Sequence, residues 1–242
     1  MKKIIIFLLS LVFIFSIVYI AYNVVTNIAG NKTYNEIKNA VNGNTVSMED
    51  KKIIDKVNEL HKSNEEVVGY IKMDDTNISY PILQGQDNDF YLTHDYNKKQ
   101  NVNGSIFLSY KGDLSNTDIN SIIYGHNMKS GSMFHDLNKF EDEEFYKKHT
   151  KFKIYTLSEV SEYEIVCVFK SRVFYKDETD VFKYYDYIDL DEKKYAEYIK
   201  NIKKLELYDT KVDANYGEQL ITLSTCEYSQ NNGRMVLTAK KI

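Results

Sequence analysis

The sequence predicts a mainly β domain of the α+β class, built as a closed or nearly closed barrel of eight short strands. From residue 67 onwards, short apolar runs alternate with turn residues, a spacing typical of barrel strands. Two segments with helical spacing interrupt the runs, a pattern typical of an α+β or mainly β domain. The chain has 242 residues, of which 43% are hydrophobic, enough for one sizeable core with an appendage.

The first element is the uncharged, apolar run Ile4–Val25, which follows Lys2 and Lys3. About 20 such residues cross a bilayer core. The run is longer than the apolar part of a signal peptide and ends without a clear cleavage site, so we interpret residues 1–26 as an uncleaved anchor; a cleaved signal peptide stays open as the alternative. The positive-inside rule then predicts a single-pass protein of the cell membrane, with its N-terminus in the cytoplasm and the rest extracellular.

The next segment is charged and carries sparse apolar residues at helical spacing. A break near residues 42–44, Asn-Gly-Asn, divides it into two modest helices. We therefore expect residues 27–65 to form a helical stalk and residues 66–242 to form the main domain.

The main domain contains the predicted strands and two predicted helices. The helix at 191–208 begins at Asp191, a favourable N-cap, and places its apolar residues on one face; a shorter, acidic helix is expected at 140–149. The predicted strands are Val67–Met73, Ile78–Leu83, Ser105–Tyr110, Ser121–Tyr124, Lys151–Leu157, Tyr163–Phe174, Gln219–Thr225 and Arg234–Lys240.

Charge and cysteine content narrow the function classes. The net charge of -4 comes from interspersed Lys and Glu, so we expect no nucleic-acid partner. Of the two cysteines, Cys167 lies inside an aromatic and β-branched run, where a cysteine is usually a small buried hydrophobe. Cys226 instead ends a strand, where its thiol is accessible, as a nucleophile must be.

Polar groups that apolar patterning does not explain cluster at three strand ends, in residues 122–127, 222–227 and 232–236. Cys226 and Arg234 flank a polar loop between two strands that would form a hairpin, so their side chains can meet at one end of the sheet. His126 follows another strand directly after Gly125, which permits an unusual backbone angle or a close approach. The His126 side chain can therefore lie at the same end of the sheet as Cys226 and Arg234.

These three residue types match the needs of cysteine acyl transfer, which requires a thiolate, a proton carrier and donors for an oxyanion. Cys226 would be the nucleophile, His126 the acid and base, and Arg234 a permanently charged donor. By themselves the residues also permit a non-catalytic interpretation. A single histidine after a strand is commonly structural, and a single arginine is commonly a solvated charge.

The stretch Thr222–Cys226 resembles the TLxTC signature of sortases. It is followed by Arg234 in Gly233–Leu237 and preceded far upstream by Tyr124–Asn127, as in that family. The insertion before the last two strands, including the helix at 191–208, is similar to class B sortases. Four further segments also resemble class B: Val68–Ile71, Ile78–Gly85, Asp87–Leu92 and Gly104–Leu108.

The resemblance implies an eight-stranded sortase barrel and a transpeptidase from a Gram-positive cell wall. Its Cys226 would attack the threonine carbonyl of a C-terminal sorting signal, of an Asn-Pro-x-Thr-x kind, and form a thioester. His126 would protonate the departing amine and later deprotonate the incoming one, while Arg234 would hold the oxyanion or the substrate backbone. Implied partners are surface proteins with that signal and the amine of a lipid-linked peptidoglycan precursor; a pilin lysine stays open as acceptor.

Four substrate-binding residues also follow from the resemblance. Asn88 and Leu92 belong to the matching segment Asp87–Leu92, and Ser224 and Glu227 lie beside the nucleophile. On burial grounds Leu92 could equally be plain core and Glu227 solvated surface. Residues 175–187 occupy the place of the family's substrate-facing loop but follow no pattern that can be aligned.

Three other interpretations were weighed. A papain-like hydrolytic cysteine peptidase lacks the local signature expected around Cys226. A membrane-tethered, non-enzymatic binding domain would leave the cysteine, histidine and arginine at strand ends unexplained. A metal site of His126, His135 and Asp136 lacks compact ligand spacing. We expect neither a metal nor another cofactor, since Glu141–Glu144 reads as a solvated helical face and no calcium loop is apparent.

Overall fold

The computed structural model describes residues 15, 16, 18, 19, 47–115 and 120–242. Residues from Met48 to Ile242 form one compact unit, in which eight strands close into a barrel in the order β1-β2-β3-β4-β7-β8-β6-β5. The predicted eight-stranded barrel is therefore confirmed. The strands are β1 (Val67–Lys72), β2 (Ser79–Leu83), β3 (Ile106–Leu108), β4 (Asn120–Tyr124), β5 (Lys151–Tyr155), β6 (Val160–Arg172), β7 (Leu220–Cys226) and β8 (Gly233–Lys241).

Among the described residues from Met48 to Ile242, four α-helices and two 3-10 helices accompany the barrel. The Asp191 side chain caps the longer inserted helix by accepting a hydrogen bond from the Lys194 backbone N–H at 2.8 Å, as predicted. The helices are α1 (Met48–Ser63), α2 (Phe90–Thr93), α3 (Glu143–Lys148) and α4 (Glu192–Leu205), and the 3-10 helices are His135–Glu141 and Tyr184–Asp186. Helix α2 was not predicted from the sequence.

The N-terminal predictions fall mostly on residues that the structure does not describe. The apolar run Ile4–Val25 and the first predicted stalk helix lie outside the described residues, apart from four isolated positions. Among the described residues, no helix combines the length and the apolar character that a membrane crossing requires. Helix α1 is fastened to the barrel by Asp50, whose carboxylate accepts hydrogen bonds from Lys153 at 3.0 Å and from Tyr155 at 2.7 Å.

Strand pairing brings three chain ends to one rim of the barrel. Strand β7 runs parallel to β4, with Tyr124 opposite Ser224, and antiparallel to β8, with Cys226 opposite Arg234. Because parallel strands end at the same edge, the residues that follow β4 lie beside the end of β7 and the start of β8. The three polar segments identified in the sequence therefore meet there.

Two hydrophobic clusters hold this rim in place. One fills the barrel with inward-facing residues such as Ile123, Leu223 and Leu237. The other lies between α4 and the outer face of β6, and includes Cys167, whose thiol donates to the Ile202 carbonyl at 3.3 Å. Burial raises the pKa of the Cys167 thiol to about 12, so this cysteine is a packing residue, as predicted.

Candidate active site

A cavity of about 530 Å³ opens at the rim where β4, β7 and β8 meet. Six of the seven residues proposed from the sequence line it: Asn88, Leu92, His126, Ser224, Cys226 and Arg234. Further walls come from the end of β3 and from the segment that precedes α4. A single concave site thus collects groups that are far apart in sequence.

Backbone and side-chain hydrogen bonds align the residues before His126 and Cys226. The Gly125 N–H donates to the Ser224 carbonyl at 3.2 Å, and the Thr225 hydroxyl donates to the Gly125 carbonyl at 2.8 Å. A side chain at Gly125 would place its Cβ 2.8 Å from the buried Phe134 ring, so close packing requires glycine. His126 and Cys226 follow directly, both line the cavity, and the side chain of each shifts the pKa of the other.

The main chain of α2 sets the tautomer of His126. Nε2 of the imidazole lies 2.7 Å from the Leu92 carbonyl oxygen. A carbonyl only accepts, so Nε2 is the donor and carries a proton. This leaves Nδ1 as the ring nitrogen that exchanges a proton with the Cys226 thiol, with the carbonyl acting as the orienting group behind it.

The same contact shifts both pKa values toward an ion pair. The pKa of Cys226 is lowered, first by the hydrogen bond from His126 and then by the positive charge of Arg234, although burial opposes both. The pKa of His126 is raised, first by its hydrogen bond with Cys226 and further by the Leu92 carbonyl, against the effect of burial. The arrangement favours a thiolate beside an imidazolium, the reactive form of a cysteine nucleophile.

Alkylation of Cys226 by iodoacetamide is therefore expected to reach half of its maximal rate at a lower pH than alkylation of free cysteine. Only the thiolate reacts, and a lowered pKa keeps the thiolate populated as the pH falls. Intact mass after short exposures between about pH 5 and pH 9 measures this profile. The Cys226→Ala variant gives the background from Cys167, and a profile that coincides with that of free cysteine would contradict the ion pair.

Arg234 is anchored by the loop between β7 and β8. Its Nη1 donates to the Gly233 carbonyl at 2.8 Å and to the Asn232 carbonyl at 3.2 Å. Asn232 has a φ of 56°, in the left-handed region that asparagine tolerates better than most residues. Both of these hydrogen bonds are donated by the same guanidinium nitrogen, Nη1. A planar fork has five donors, so the anchored group can still present N–H groups beside Cys226.

The four predicted substrate-binding residues are placed differently. The Asn88 side chain accepts a hydrogen bond from the Tyr110 N–H at 3.0 Å, and the buried Ser224 hydroxyl is 2.8 Å from the Tyr184 hydroxyl. Leu92 lines the cavity and also supplies the carbonyl that contacts the histidine. Asn88, Leu92 and Ser224 therefore all line the cavity, as expected of residues near a bound substrate.

Glu227 is the exception among the sequence candidates, because its side chain is not part of the cavity wall. Its carboxylate accepts hydrogen bonds from the Ser229 N–H at 2.9 Å and hydroxyl at 2.6 Å, and lies 3.6 Å from the Lys170 ammonium. These contacts hold the pKa of Glu227 below its ordinary value against the opposing effect of burial. The side chain is thus engaged within its own loop, and its role in substrate binding stays a prediction.

Several wall residues were not identified from the sequence. Phe107 and Tyr124 pack with ring centroids 5.4 Å apart, and Tyr110 and Lys111 follow the end of β3. The 3-10 helix Tyr184–Asp186 supplies another wall. Its tyrosines lie in residues 175–187, the stretch that matches no family pattern. The tyrosine-rich composition was the available signal, but composition does not show which of the tyrosines face the cavity.

The residues of the alternative metal site are occupied by other contacts. Nδ1 of His135 is 2.8 Å from the Asn127 side-chain oxygen. The Asp136 carboxylate accepts from the Asn77 N–H at 2.9 Å and pairs with Lys139 at 2.9 Å. Across the described ranges, no three His, Cys, Asp or Glu side chains are grouped to hold a metal ion. The geometry gives no support to that interpretation.

Comparison with known proteins supports the assignment made from the motifs. Residues 71–242 match the sortase domain family. The chain is 38% identical to sortase B of Listeria monocytogenes over 191 residues, covering 78% of this chain and 74% of the relative. Among solved structures, sortase B of Bacillus anthracis in complex with AAEK1 is similar with a TM-score of 0.65 and 37% identity, over 76% of this chain and 82% of that one.

A third similar protein was solved with its substrate. The Staphylococcus aureus sortase B–substrate complex has a TM-score of 0.68 and 25% identity, and the match covers 88% of this chain and 94% of that one. The class B resemblance predicted from the motifs is confirmed.

Proposed function

The chain belongs to the sortase family of cysteine transpeptidases, and on that premise we propose that it cleaves an Asn-Pro-x-Thr-x-like sorting signal after threonine. The new carboxyl end is then transferred to the amine of a cell-wall precursor. The observation that carries the reaction is that Cys226, His126 and Arg234 line one cavity, in which His126 lowers the pKa of the Cys226 thiol.

In the first half-reaction the Cys226 thiolate attacks the threonine carbonyl carbon. The tetrahedral oxyanion is held by Arg234, whose guanidinium is already anchored by the loop carbonyls. As the C–N bond breaks and the thioester forms, the His126 imidazolium gives its proton to the departing amine.

The second half-reaction reverses these roles. An acceptor amine attacks the thioester carbonyl, and neutral His126 removes a proton from that amine. Collapse of the intermediate forms the new amide and releases Cys226 as the thiolate. His126 is protonated again, so the starting ion pair is restored without any other reactant.

Asn88, Leu92 and Ser224 are proposed to contact the sorting signal, because they line the cavity around the nucleophile. The similar S. aureus sortase B, which was solved as a substrate complex, supports a substrate-binding role for this fold. We extend the proposal to Tyr184 and Tyr185 of the neighbouring wall. The amide and hydroxyl groups of this wall can hydrogen-bond the Asn and Thr side chains of an Asn-Pro-x-Thr-x signal. They would have no such partners in an all-apolar peptide.

We also propose that residues 1–26 anchor the enzyme in the cell membrane with the catalytic domain outside. The support is the uncharged run Ile4–Val25 behind two lysines. This placement fits a lipid-linked peptidoglycan precursor as the acceptor, since such an amine would be presented at the same membrane surface.

Incubation of the full chain with peptides tests the substrate assignment. Peptides with Asn-Pro-x-Thr-x or Leu-Pro-x-Thr-Gly cores are mixed with the enzyme and triglycine, and intact mass is recorded. We expect a thioester adduct on the enzyme and a ligated product from the Asn-Pro peptides. If no peptide gives an adduct while the thiol can still be alkylated, the sorting-signal assignment is wrong.

A further inference from the structure

The carbonyl of Cys226 lies at a point where the strand ladder stops. On the β4 side, the last backbone bond to β7 is the one from Gly125 to the Ser224 carbonyl. On the β8 side, the hairpin continues through the Glu227 N–H, which donates to the Gly233 carbonyl at 3.0 Å. The Cys226 carbonyl faces away from that hairpin bond, and among the backbone bonds of the described residues outside regular strands none reaches it. A carbonyl beyond the end of a strand ladder needs a partner from a side chain or from water.

Side-chain amides supply that partner. Nδ2 of Asn127 donates to the Cys226 carbonyl oxygen at 3.0 Å, and Nδ2 of Asn138 approaches the same oxygen at 3.5 Å. Asn127 and Cys226 are 99 residues apart in sequence. The Asn127 side chain therefore extends the β4–β7 ladder by one rung, beyond the last backbone pairing.

The Asn127 amide is itself oriented by its surroundings. Its Oδ1 is 2.8 Å from Nδ1 of His135, and because an amide oxygen only accepts, that nitrogen carries a proton. The Tyr228 hydroxyl donates to the Asn127 main-chain carbonyl at 3.0 Å. Contacts from the 3-10 helix and from the β7–β8 loop thus hold both ends of the asparagine.

The consecutive residues His126 and Asn127 therefore interact with different parts of the nucleophile Cys226. His126 lowers the pKa of the Cys226 thiol, and the Asn127 amide donates to the Cys226 carbonyl. We propose that Asn127, oriented by His135, is a positioning residue that keeps the Cys226 thiol beside His126 in the cavity. The inference rests on the proposed function for its catalytic meaning, but the contact it concerns is visible in thiol reactivity alone.

Small displacements at this point have large expected effects, since a misplacement of about 1 Å can cost about 100-fold in rate. Asn127→Ala removes the donor to the Cys226 carbonyl and frees the peptide plane that carries the nucleophile. The thiol then moves relative to His126, the main cause of its lowered pKa, and that pKa rises toward the ordinary value. The chemical step is slowed while the peptide-binding walls are unchanged.

The test compares Asn127→Ala, His135→Ala and His135→Asn in the full chain, with His149→Ala as the matched control. Like His135, His149 hydrogen-bonds an oxygen through Nδ1, here the Phe145 main-chain carbonyl at 2.8 Å, and it lies outside the cavity wall. The readouts are the pH profile of alkylation, kcat and KM for a sorting peptide, and the thermal unfolding midpoint.

For Asn127→Ala we expect the alkylation profile to move to higher pH and kcat to fall by about 10- to 100-fold, with KM within about twofold of the native value. His135→Ala should change both in the same direction by less. His135→Asn, whose amide can donate near the position of Nδ1, should recover part of the loss. His149→Ala should leave the alkylation profile unchanged.

The proposal is overturned if Asn127→Ala folds and keeps the native alkylation profile and kcat, whatever its unfolding midpoint. Should that variant fail to fold, the two His135 variants decide, and equal profiles for alanine and asparagine would contradict the positioning role. A shifted alkylation profile, in a chain whose native form ligates no peptide, would support the positioning of Cys226 and refute the proposed function separately.

Discussion

Replacing Cys226 by alanine is expected to abolish transpeptidation, with a loss of at least about 10⁴-fold in kcat. The thioester cannot form without the thiol, and the Cys167 thiol is buried, has a raised pKa and does not line the cavity. The measurement is the ligated product from a sorting peptide and triglycine, followed by mass, together with the absence of an enzyme adduct.

Cys167→Ala is the matched control for this loss. It removes the other cysteine from the cluster between α4 and the barrel, so it should lower stability by about 1 kcal/mol while keeping the native kcat. Ligation that persists in Cys226→Ala, or that disappears in a folded Cys167→Ala, would show that Cys226 is not the nucleophile.

Replacing His126 by glutamine has the second largest expected effect, a fall in kcat of about 10²- to 10⁴-fold. Glutamine can still donate to the Leu92 carbonyl, but it cannot carry a proton to the leaving amine. Loss of the imidazole also removes the main cause of the lowered Cys226 pKa. The alkylation profile should therefore shift to higher pH, and the rate of ligation should rise with pH over the range in which the thiol ionises.

His61→Gln is a suitable control for that variant. His61 is bonded through Nδ1 to the Val67 carbonyl at 2.8 Å, on helix α1 and away from the cavity wall, so its replacement should leave both pH profiles in place. A His126→Gln enzyme that retains native kcat, or an alkylation profile that does not move, would remove His126 from the proposed mechanism.

Features that depend on neighbours in the chain were accessible from the sequence. The eight strands follow from apolar runs bounded by turn residues, and α4 follows from Asp191 and the helical spacing behind it, because both patterns are local. The pairing of Cys226 with Arg234 was likewise predictable, since a short polar loop between two strands brings its flanks together. The motif around Cys226 identified the family.

Features that depend on distant contacts were decided by the tertiary structure. His126 meets Cys226 only because β4 pairs in parallel with β7, and no local pattern encodes that register. The Leu92 carbonyl that sets the histidine tautomer is a main-chain group, which any residue type would supply. Glu227 lies beside the nucleophile in sequence, yet Ser229 and Lys170 hold its carboxylate away from the cavity wall.

The sequence by itself thus determined the class of fold, the family and the three residue types that the chemistry requires. The structure decided which groups surround them, from the Tyr184–Ser224 contact in the wall to the Asn127 amide on the Cys226 carbonyl. The physical reason is that side-chain type and spacing are properties of a segment, whereas hydrogen-bond partners and pKa shifts arise when barrel closure packs separate segments at one rim.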